Sequence, residues 1–216
     1  MMSQTPAVVQ PLSVAIREGS SAEHDAAERS PFVTELLAGR VSRRGYADYL
    51  LRLRIVYQAL EDAVRCRLDD PLVAAMYDPA LERIPALDAD LAHWAPSVSS
   101  EVDSPAAQRY RARIAELPWG GALVAHHYTR YLGDLSGGQA MARILDREFE
   151  LGGKGLAFYE FELRIKPYKD GYRARLDSLG LEAGDIERVV GEVKIAFGLN
   201  QALFDELATM LPHYRR

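Results

Sequence analysis

The chain has 216 residues, of which 48% are hydrophobic and 26% charged, and its formal net charge is −5. This composition excludes a mainly disordered chain and predicts one domain with a single core. Basic residues are scattered among acidic ones, which argues against a nucleic-acid partner, and the only cysteine, Cys66, excludes an internal disulfide.

Apolar residues recur every three to four positions along most of the chain, which predicts a single-domain, all-α fold of about eight or nine helices. We expect residues 1–10 to form a disordered tail and residues 11–216 to form the domain. The first predicted helices cover residues 12–28, 31–38 and 43–68, and the later ones cover residues 119–149, 167–179 and 182–211.

Several helix ends carry residues that are typical of caps. Ser42, Asp78 and Ser104 are predicted N-caps, and the last two precede a proline, so a helix should begin after each of them. Gly39 is a predicted C-terminal cap. Residues 95–103 are predicted to form the longest surface loop.

No apolar run reaches about 18 residues, the length needed to cross a membrane. The N-terminus lacks the basic and apolar pattern of a signal peptide. We therefore expect a cytoplasmic protein with no membrane partner, present as a monomer or a weak dimer.

The helix predicted for residues 119–149 contains Gly133, Gly137 and Gly138 in its interior. Each glycine costs about 0.5–1 kcal/mol relative to alanine there. One interpretation is a kink or a helix end at Gly137 and Gly138. The other is a face that a flat ligand approaches closely, because Gly133 and Gly137 are four residues apart. Asp134 would project its carboxylate toward the same pocket.

Residues 135–139, LSGGQ, also match the signature peptide of ABC-type ATPases. Such ATPases need a phosphate-binding loop of the form Gly-x-x-x-x-Gly-Lys-Ser/Thr between a strand and a helix. The chain has neither that loop nor a strand pattern to carry it, so we reject this interpretation.

Five histidines are candidate metal ligands, at positions 24, 93, 126, 127 and 213. Glu28 lies four residues after His24, so it could accept one ring N–H and leave the other nitrogen free for a metal. A solvated ion pair is the alternative. His126 and His127 cannot share a helix face, and we predict a structural role for His126 and a peripheral position for His127. The absence of paired metal-binding motifs argues against a zinc hydrolase or a di-iron bundle.

Two motifs together resemble the haem oxygenase family, and the resemblance extends over residues 12–207. They are the histidine segment at residues 24–28 and the segment ALVAHHYTRYLGDLSGGQ at residues 122–139. Shorter matches lie at residues 56–61, 168–173 and 196–204. The resemblance implies that haem is held between the first helix and the glycine-containing helix.

The resemblance also implies roles for individual residues. His24 would be the proximal iron ligand, held by Glu28, and Asp134 would organise waters that supply protons to dioxygen. The distal catalytic set would be Tyr57, Arg130, Gly133, Asp134, Gly137 and Gly138. The residues that would bind the haem propionates or line the site are Arg17, Tyr128, Lys169, Arg173, Phe197 and Asn200.

Lys169 and Arg173 form a like-charge pair four residues apart, which a bound anion would stabilise. Two solvated charges are the alternative interpretation. Arg17 stands where many members of the family have lysine. Arginine keeps the charge but binds a carboxylate in a planar fork.

The reaction implied by the resemblance converts haem, O₂ and electrons into biliverdin, ferrous iron and CO, with haem as both substrate and cofactor. We expect the IXα isomer of biliverdin. The chain carries no flavin or nicotinamide motif, so a separate ferredoxin or flavin reductase would donate the electrons. Two alternatives stay open: a haem carrier or sensor that leaves the ring intact, and a thiaminase-like hydrolase, which would need Cys66 as its nucleophile.

Overall fold

A computed structural model describes residues 10–96 and 102–216, and within these ranges the protein is all-α, as predicted. Residues 1–9 of the predicted tail and residues 97–101 of the predicted loop lie outside the described residues. The helices are α1 (Leu12–Gly19), α2 (Ser21–Glu28), α3 (Pro31–Leu37), α4 (Arg43–Arg65), α5 (Pro71–Met76), α6 (Ile84–Trp94), α7 (Pro105–Ala115), α8 (Gly120–Phe149), α9 (Ile165–Asp177), α10 (Ala183–Thr209) and α11 (Leu211–Tyr214). Across the described ranges, no helix has both the length and the apolar character that a membrane span requires.

The described part of the chain has eleven helices instead of eight or nine, partly because the helix predicted for residues 12–28 is divided at Ser20. The Ser20 hydroxyl donates to the backbone carbonyl of Ile16 at 2.8 Å. Gly19 packs so closely on α10 that an added Cβ would lie 2.6 Å from Val190 Cγ1. A serine bonded to its preceding turn and a close glycine contact both favour a bend. The chain therefore turns at Ser20, and α1 reaches α9 while α2 reaches α3.

The cap predictions are confirmed at three positions and need correction at one. Ser42 and Ser104 accept backbone N–H groups at the starts of α4 and α7, and Gly39 has a positive φ of 69° after α3. Asp78, however, caps only a short 3-10 turn, Pro79–Leu81. The next helix, α6, begins later because Glu61 of α4 accepts the backbone N–H of Arg83 at 2.6 Å and so caps it from outside.

His127 is buried, so the prediction that it is peripheral is wrong. Its Nδ1 lies 2.8 Å from the Tyr172 hydroxyl on α9, and the two rings are parallel within 7°. Burial, assisted by the charge of Arg175, lowers the pKa of His127 to about 3, so the ring is neutral at pH 7. His127 therefore anchors α9 against α8.

His126 has the structural role that was predicted. Its fully buried ring places Nε2 2.9 Å from Glu192 Oε1 on α10, and Arg113 of α7 donates to the same carboxylate at 2.9 Å. Burial alone would raise the pKa of Glu192, but the hydrogen bonds from His126 and Arg113 lower it to about 2. One ionised carboxylate thus joins α7, α8 and α10.

We expect Glu192→Gln to lower the free energy of unfolding by about 3 kcal/mol at pH 7, because it removes the charged acceptor that Arg113 and His126 share. A folded-state pKa of about 2 lies below the unfolded value, so this stabilisation is present above about pH 4.3 and is lost as the pH falls toward 2. Urea denaturation at pH 7 and pH 3 measures both effects.

Glu187→Gln, at an exposed position of the same helix, is the matched control and should change the stability by no more than about 0.5 kcal/mol. If the difference between wild type and Glu192→Gln stayed constant from pH 7 to pH 3, the ionised carboxylate would not be its source.

Candidate active site

A cavity of about 820 Å³ lies between α2 and α8, with α10 along one side. This volume is within the range that cofactor sites commonly have. The lining residues that the sequence had singled out are Arg17, His24, Glu28, Tyr128, Arg130, Gly133, Asp134, Gly137, Gly138, Arg173, Phe197 and Asn200. Tyr57 and Lys169 are absent from the lining. The cavity thus brings together most of the predicted site.

The α8 helix continues through all three glycines, so none of them ends the helix and the helix-end interpretation is wrong. A Cβ added at Gly133 or Gly137 would meet no atom within 4 Å, whereas one at Gly138 would lie 2.9 Å from Tyr159 Cδ1. Gly133 and Gly137 therefore present bare backbone to the cavity, and Gly138 allows close packing against Tyr159.

His24 lines the same cavity from α2, with its side chain 51% exposed. Its Nε2 lies 3.6 Å from Glu28 Oε1 and its Nδ1 lies 3.8 Å from Asp25 Oδ1. Both distances exceed that of a hydrogen bond, so the predicted bond to Glu28 is not formed here and both ring nitrogens are available. The Phe197 ring contacts the imidazole edge-on at a centroid distance of 5.6 Å. Among the described residues, His24, Asp25 and Glu28 are the one group of three that could hold a metal ion.

Asp134 belongs to a buried polar cluster on the α8 side of the cavity. The Tyr57 hydroxyl donates to Asp134 Oδ2, and Arg130 Nη2 lies 3.7 Å from Asp134 Oδ1. Arg130 also donates to the Tyr57 hydroxyl at 3.2 Å and to Asn200 Oδ1 at 2.8 Å. Tyr57 therefore acts from behind Asp134, and Asn200 orients Arg130.

Burial raises the pKa of the Asp134 carboxyl, and the charge of Arg130 and the hydrogen bond from Tyr57 oppose this shift only in part. Burial also raises the pKa of Tyr57 well above its usual value, so the phenol keeps its proton. In this cluster, the guanidinium of Arg130 and the phenol of Tyr57 orient the Asp134 carboxyl, whose raised pKa increases its affinity for a proton. Such a carboxyl can hold and release a proton at the cavity wall.

Tyr49 of α4 is a lining residue that sequence reasoning missed. Its ring packs between Phe32 and Phe204, with centroid distances of 5.7 and 6.1 Å. Burial raises the pKa of Tyr49, and the charge of Arg130 opposes this rise. The sequence did contain a signal for Tyr49: it is an aromatic residue with a polar hydroxyl next to the apolar stripe of α4, and such a residue often lines a site with its hydroxyl.

Two exposed cationic side chains, Arg17 (71% exposed) and Arg173 (44% exposed), line the open edge of the cavity, which we call the cavity mouth. Tyr128 lines the same cavity; burial raises the pKa of its phenol, and the charges of Arg173 and Arg17 oppose that rise. Lys169 instead donates from Nζ to Ser136 Oγ at 3.1 Å, and Ser136 lines the cavity. An anionic edge of a ligand would find its counter-charges at this mouth.

The family model described as "Heme oxygenase" matches residues 10–206. The chain belongs to the haem oxygenase family. A human relative named "Heme oxygenase 1" is 38% identical over 97% of this chain and 76% of its own length. A Synechocystis relative of the same name is 36% identical over 91% of this chain and 84% of its own length.

Solved structures of the haem oxygenase family agree with the fold. The crystal structure of Synechocystis heme oxygenase-1 in complex with heme has a TM-score of 0.89 and 34% identity, and the match covers 94% of this chain and 95% of that one. The structure of heme oxygenase from Leptospira interrogans has a TM-score of 0.88 and 35% identity, covering 91% of this chain and 100% of that one.

The free Cys66 is exposed and does not line this cavity. It follows α4 directly, as its C-cap residue. The hydrolase alternative required a nucleophilic cysteine in the site, and the position of Cys66 removes its support.

Proposed function

We propose that this haem oxygenase family member holds haem between α2 and α8 and opens it to biliverdin, ferrous iron and CO, with O₂ and electrons as co-substrates. One observation carries the proposal: a half-exposed imidazole, His24, shares a cavity of about 820 Å³ with the side-chain-free backbone at Gly133 and Gly137. A flat macrocycle with a metal at its centre is complementary to that pair of surfaces.

The residues present fit haem in both its charge and its donor requirements. His24 would bind the iron, and Glu28 or Asp25, each within 4 Å of a ring nitrogen, would accept the remaining N–H. Arg17, Arg173 and Tyr128 would bind the two propionates, and Lys169 would join them on leaving Ser136. Bound haem supplies the iron that activates O₂ and the macrocycle that is cleaved.

The polar cluster of this chain would then control protons. Asp134 would hold a proton at its carboxyl and pass it through water in the cavity, because burial raises its pKa. Arg130 and Tyr57 would fix the direction of that carboxyl, and Asn200 would fix Arg130. The close α8 backbone would exclude bulk water above the ring.

We further propose the IXα isomer of biliverdin as product, a separate ferredoxin or flavin reductase as electron donor, and the cytoplasm as location. The chain carries no flavin or nicotinamide motif of its own. The described ranges have three exposed large hydrophobic residues, Leu37, Leu68 and Ile195. So small a number supports a monomer or a weak dimer.

The experiment that tests this function adds haem to the purified protein and then supplies a reductant in air. We expect the Soret band to decay and a bile-pigment spectrum to replace it, with CO released. A Soret band that forms and then persists under turnover conditions would instead identify a carrier or sensor. Absence of a Soret band would contradict haem binding itself.

The glycines provide a separate test of the cavity. We expect Gly133→Ala to stabilise the haem-free protein by about 0.5–1 kcal/mol, because a Cβ there meets no atom within 4 Å. Gly138→Ala should destabilise it, because its Cβ would lie 2.9 Å from Tyr159 Cδ1. Thermal denaturation of the haem-free proteins measures both.

Gly133→Leu extends the test to the ligand. Its side chain should be tolerated in the haem-free protein but should weaken haem binding by about tenfold or more, because it fills the space that haem needs. Haem titration measures the affinity. An unchanged affinity would show that haem does not lie against Gly133.

A further inference from the structure

Asp177, the last residue of α9, is hydrogen-bonded to the start of α1 beside the cavity mouth. Its Oδ1 accepts the backbone N–H of Ser13 at 2.8 Å, and its Oδ2 accepts the Ser13 hydroxyl at 2.9 Å, although the two residues are 164 positions apart. Ser13 itself lines the cavity. Two bonds to one residue fix both the distance and the relative orientation of the helices.

The sequence of α1 explains why this contact forms. The first N–H groups of a helix have no partner within the helix, and a side chain usually caps them. Pro11 precedes α1 and provides no side-chain cap, and the first turn of α1 contains no acidic residue. The Asp177 carboxylate supplies both the missing acceptor and the negative charge that this helix end favours. α1 is therefore capped by a residue of α9.

The Ser13–Asp177 contact lies one helical turn away from each of the two arginines at the cavity mouth. Arg17 lies one helical turn after Ser13 on α1, and Arg173 lies one turn before Asp177 on α9. The Ser13–Asp177 contact therefore sets the distance between the two helix positions from which Arg17 and Arg173 extend. The Arg17 and Arg173 side chains are 71% and 44% exposed, so little packing around them fixes where they lie. Their spacing therefore depends on the two helix positions that carry them.

We propose that Asp177 is a positioning residue that sets the spacing of Arg17 and Arg173 and thereby the orientation in which haem is held for cleavage. The inference rests on the proposed function, because it takes these arginines as the propionate contacts. His24 alone would leave a bound haem free to turn within the cavity. Contacts from Arg17 and Arg173 to the two propionates would select one orientation, and so would select the ring carbon that is cleaved.

Hydrogen exchange of the haem-free protein tests the contact itself. Asp177→Ala should raise the exchange rates of the first-turn amides of α1 by about fivefold to tenfold, since a helix cap is lost. Asp177→Asn, which keeps an oxygen and a polar group opposite Ser13, should change them less. Unchanged rates in Asp177→Ala would overturn the proposal, whether or not the protein turns over haem.

Asp88→Ala is the matched control. Asp88 is also an exposed carboxylate that makes two hydrogen bonds to another helix, at 2.6 and 3.4 Å to Arg54 of α4, and it does not line the cavity. We expect it to leave the exchange of α1 and the orientation of bound haem unchanged. An equal effect of both variants on haem orientation would identify a general loss of structure and would overturn the specific role of Asp177.

The orientation of bound haem tests the functional part. Proton NMR of the haem methyl groups in the ferric complex should show minor orientations increased by about fivefold in Asp177→Ala, and the ratio of minor biliverdin isomers should rise in parallel. Faster exchange in α1 with an unaltered haem orientation would overturn the proposal. If the wild type binds haem but yields no biliverdin, the proposed function fails, while the NMR measurement still decides the role of Asp177.

Discussion

Replacing Asp134 by alanine should leave haem binding intact and reduce biliverdin formation by about a hundredfold or more. A positioned acid–base group typically contributes this much to a reaction that needs protons. The polar contacts of Asp134 are made to Tyr57 and Arg130 and not to His24, so haem should still bind. Single-turnover spectroscopy with haem-loaded protein measures the loss.

Asp134→Asn removes the carboxyl group of Asp134 but keeps the size and shape of the side chain. It retains an oxygen for the Tyr57 hydroxyl but cannot carry the exchangeable carboxyl proton, so we expect a loss close to that of the alanine variant. Circular dichroism must accompany the assay, since removing the partner of buried Arg130 can destabilise the fold by about 3 kcal/mol. A normal biliverdin yield from a folded Asp134→Asn protein would refute the assigned role.

His24→Ala should remove the iron–imidazole bond, which will change the haem spectrum, and should abolish coupled ring opening. The His24 side chain is 51% exposed, so the haem-free variant should keep its stability within about 0.5 kcal/mol. Added imidazole should enter the space left by the side chain and restore the original spectrum. The exposed His213 provides the control, as His213→Ala should behave like the wild type.

An unchanged spectrum in His24→Ala would mean that another group binds the iron. A changed spectrum that imidazole does not restore would mean that the space on the α2 side is too narrow for a free ligand. The second result would then contradict the open cavity at His24 rather than the identity of the ligand.

Much of the helical structure was predictable because its signals are local. Ser42 and Ser104 cap the helices that follow them, and α8 was predicted to within one residue at its start. The break at Ser20 was not predictable, because it depends on the packing of Gly19 against Val190, a residue distant in sequence. The helix expected after Asp78 was displaced for the same kind of reason, since Glu61 caps α6 from α4.

The site could be predicted where its chemistry lies within one continuous motif. Gly133 and Asp134 are neighbours on one helix, so their spacing indicated a shared pocket, and the resemblance to the haem oxygenase family added Arg130 to it. The burial of His127, by contrast, depends on Tyr172 of α9, and the contact of Lys169 with Ser136 depends on how α9 packs on α8. Such contacts are set by tertiary packing, and a pattern along the chain does not encode them.

The empty space beyond Gly133 and Gly137 has a consequence for engineering this protein. A screen for thermostability carried out without haem would favour alanine at both positions, because each change strengthens the helix and meets no obstacle. The variants that survive best would be those with the least room for substrate. Selection for heat resistance and selection for turnover therefore act in opposite directions on the same two residues.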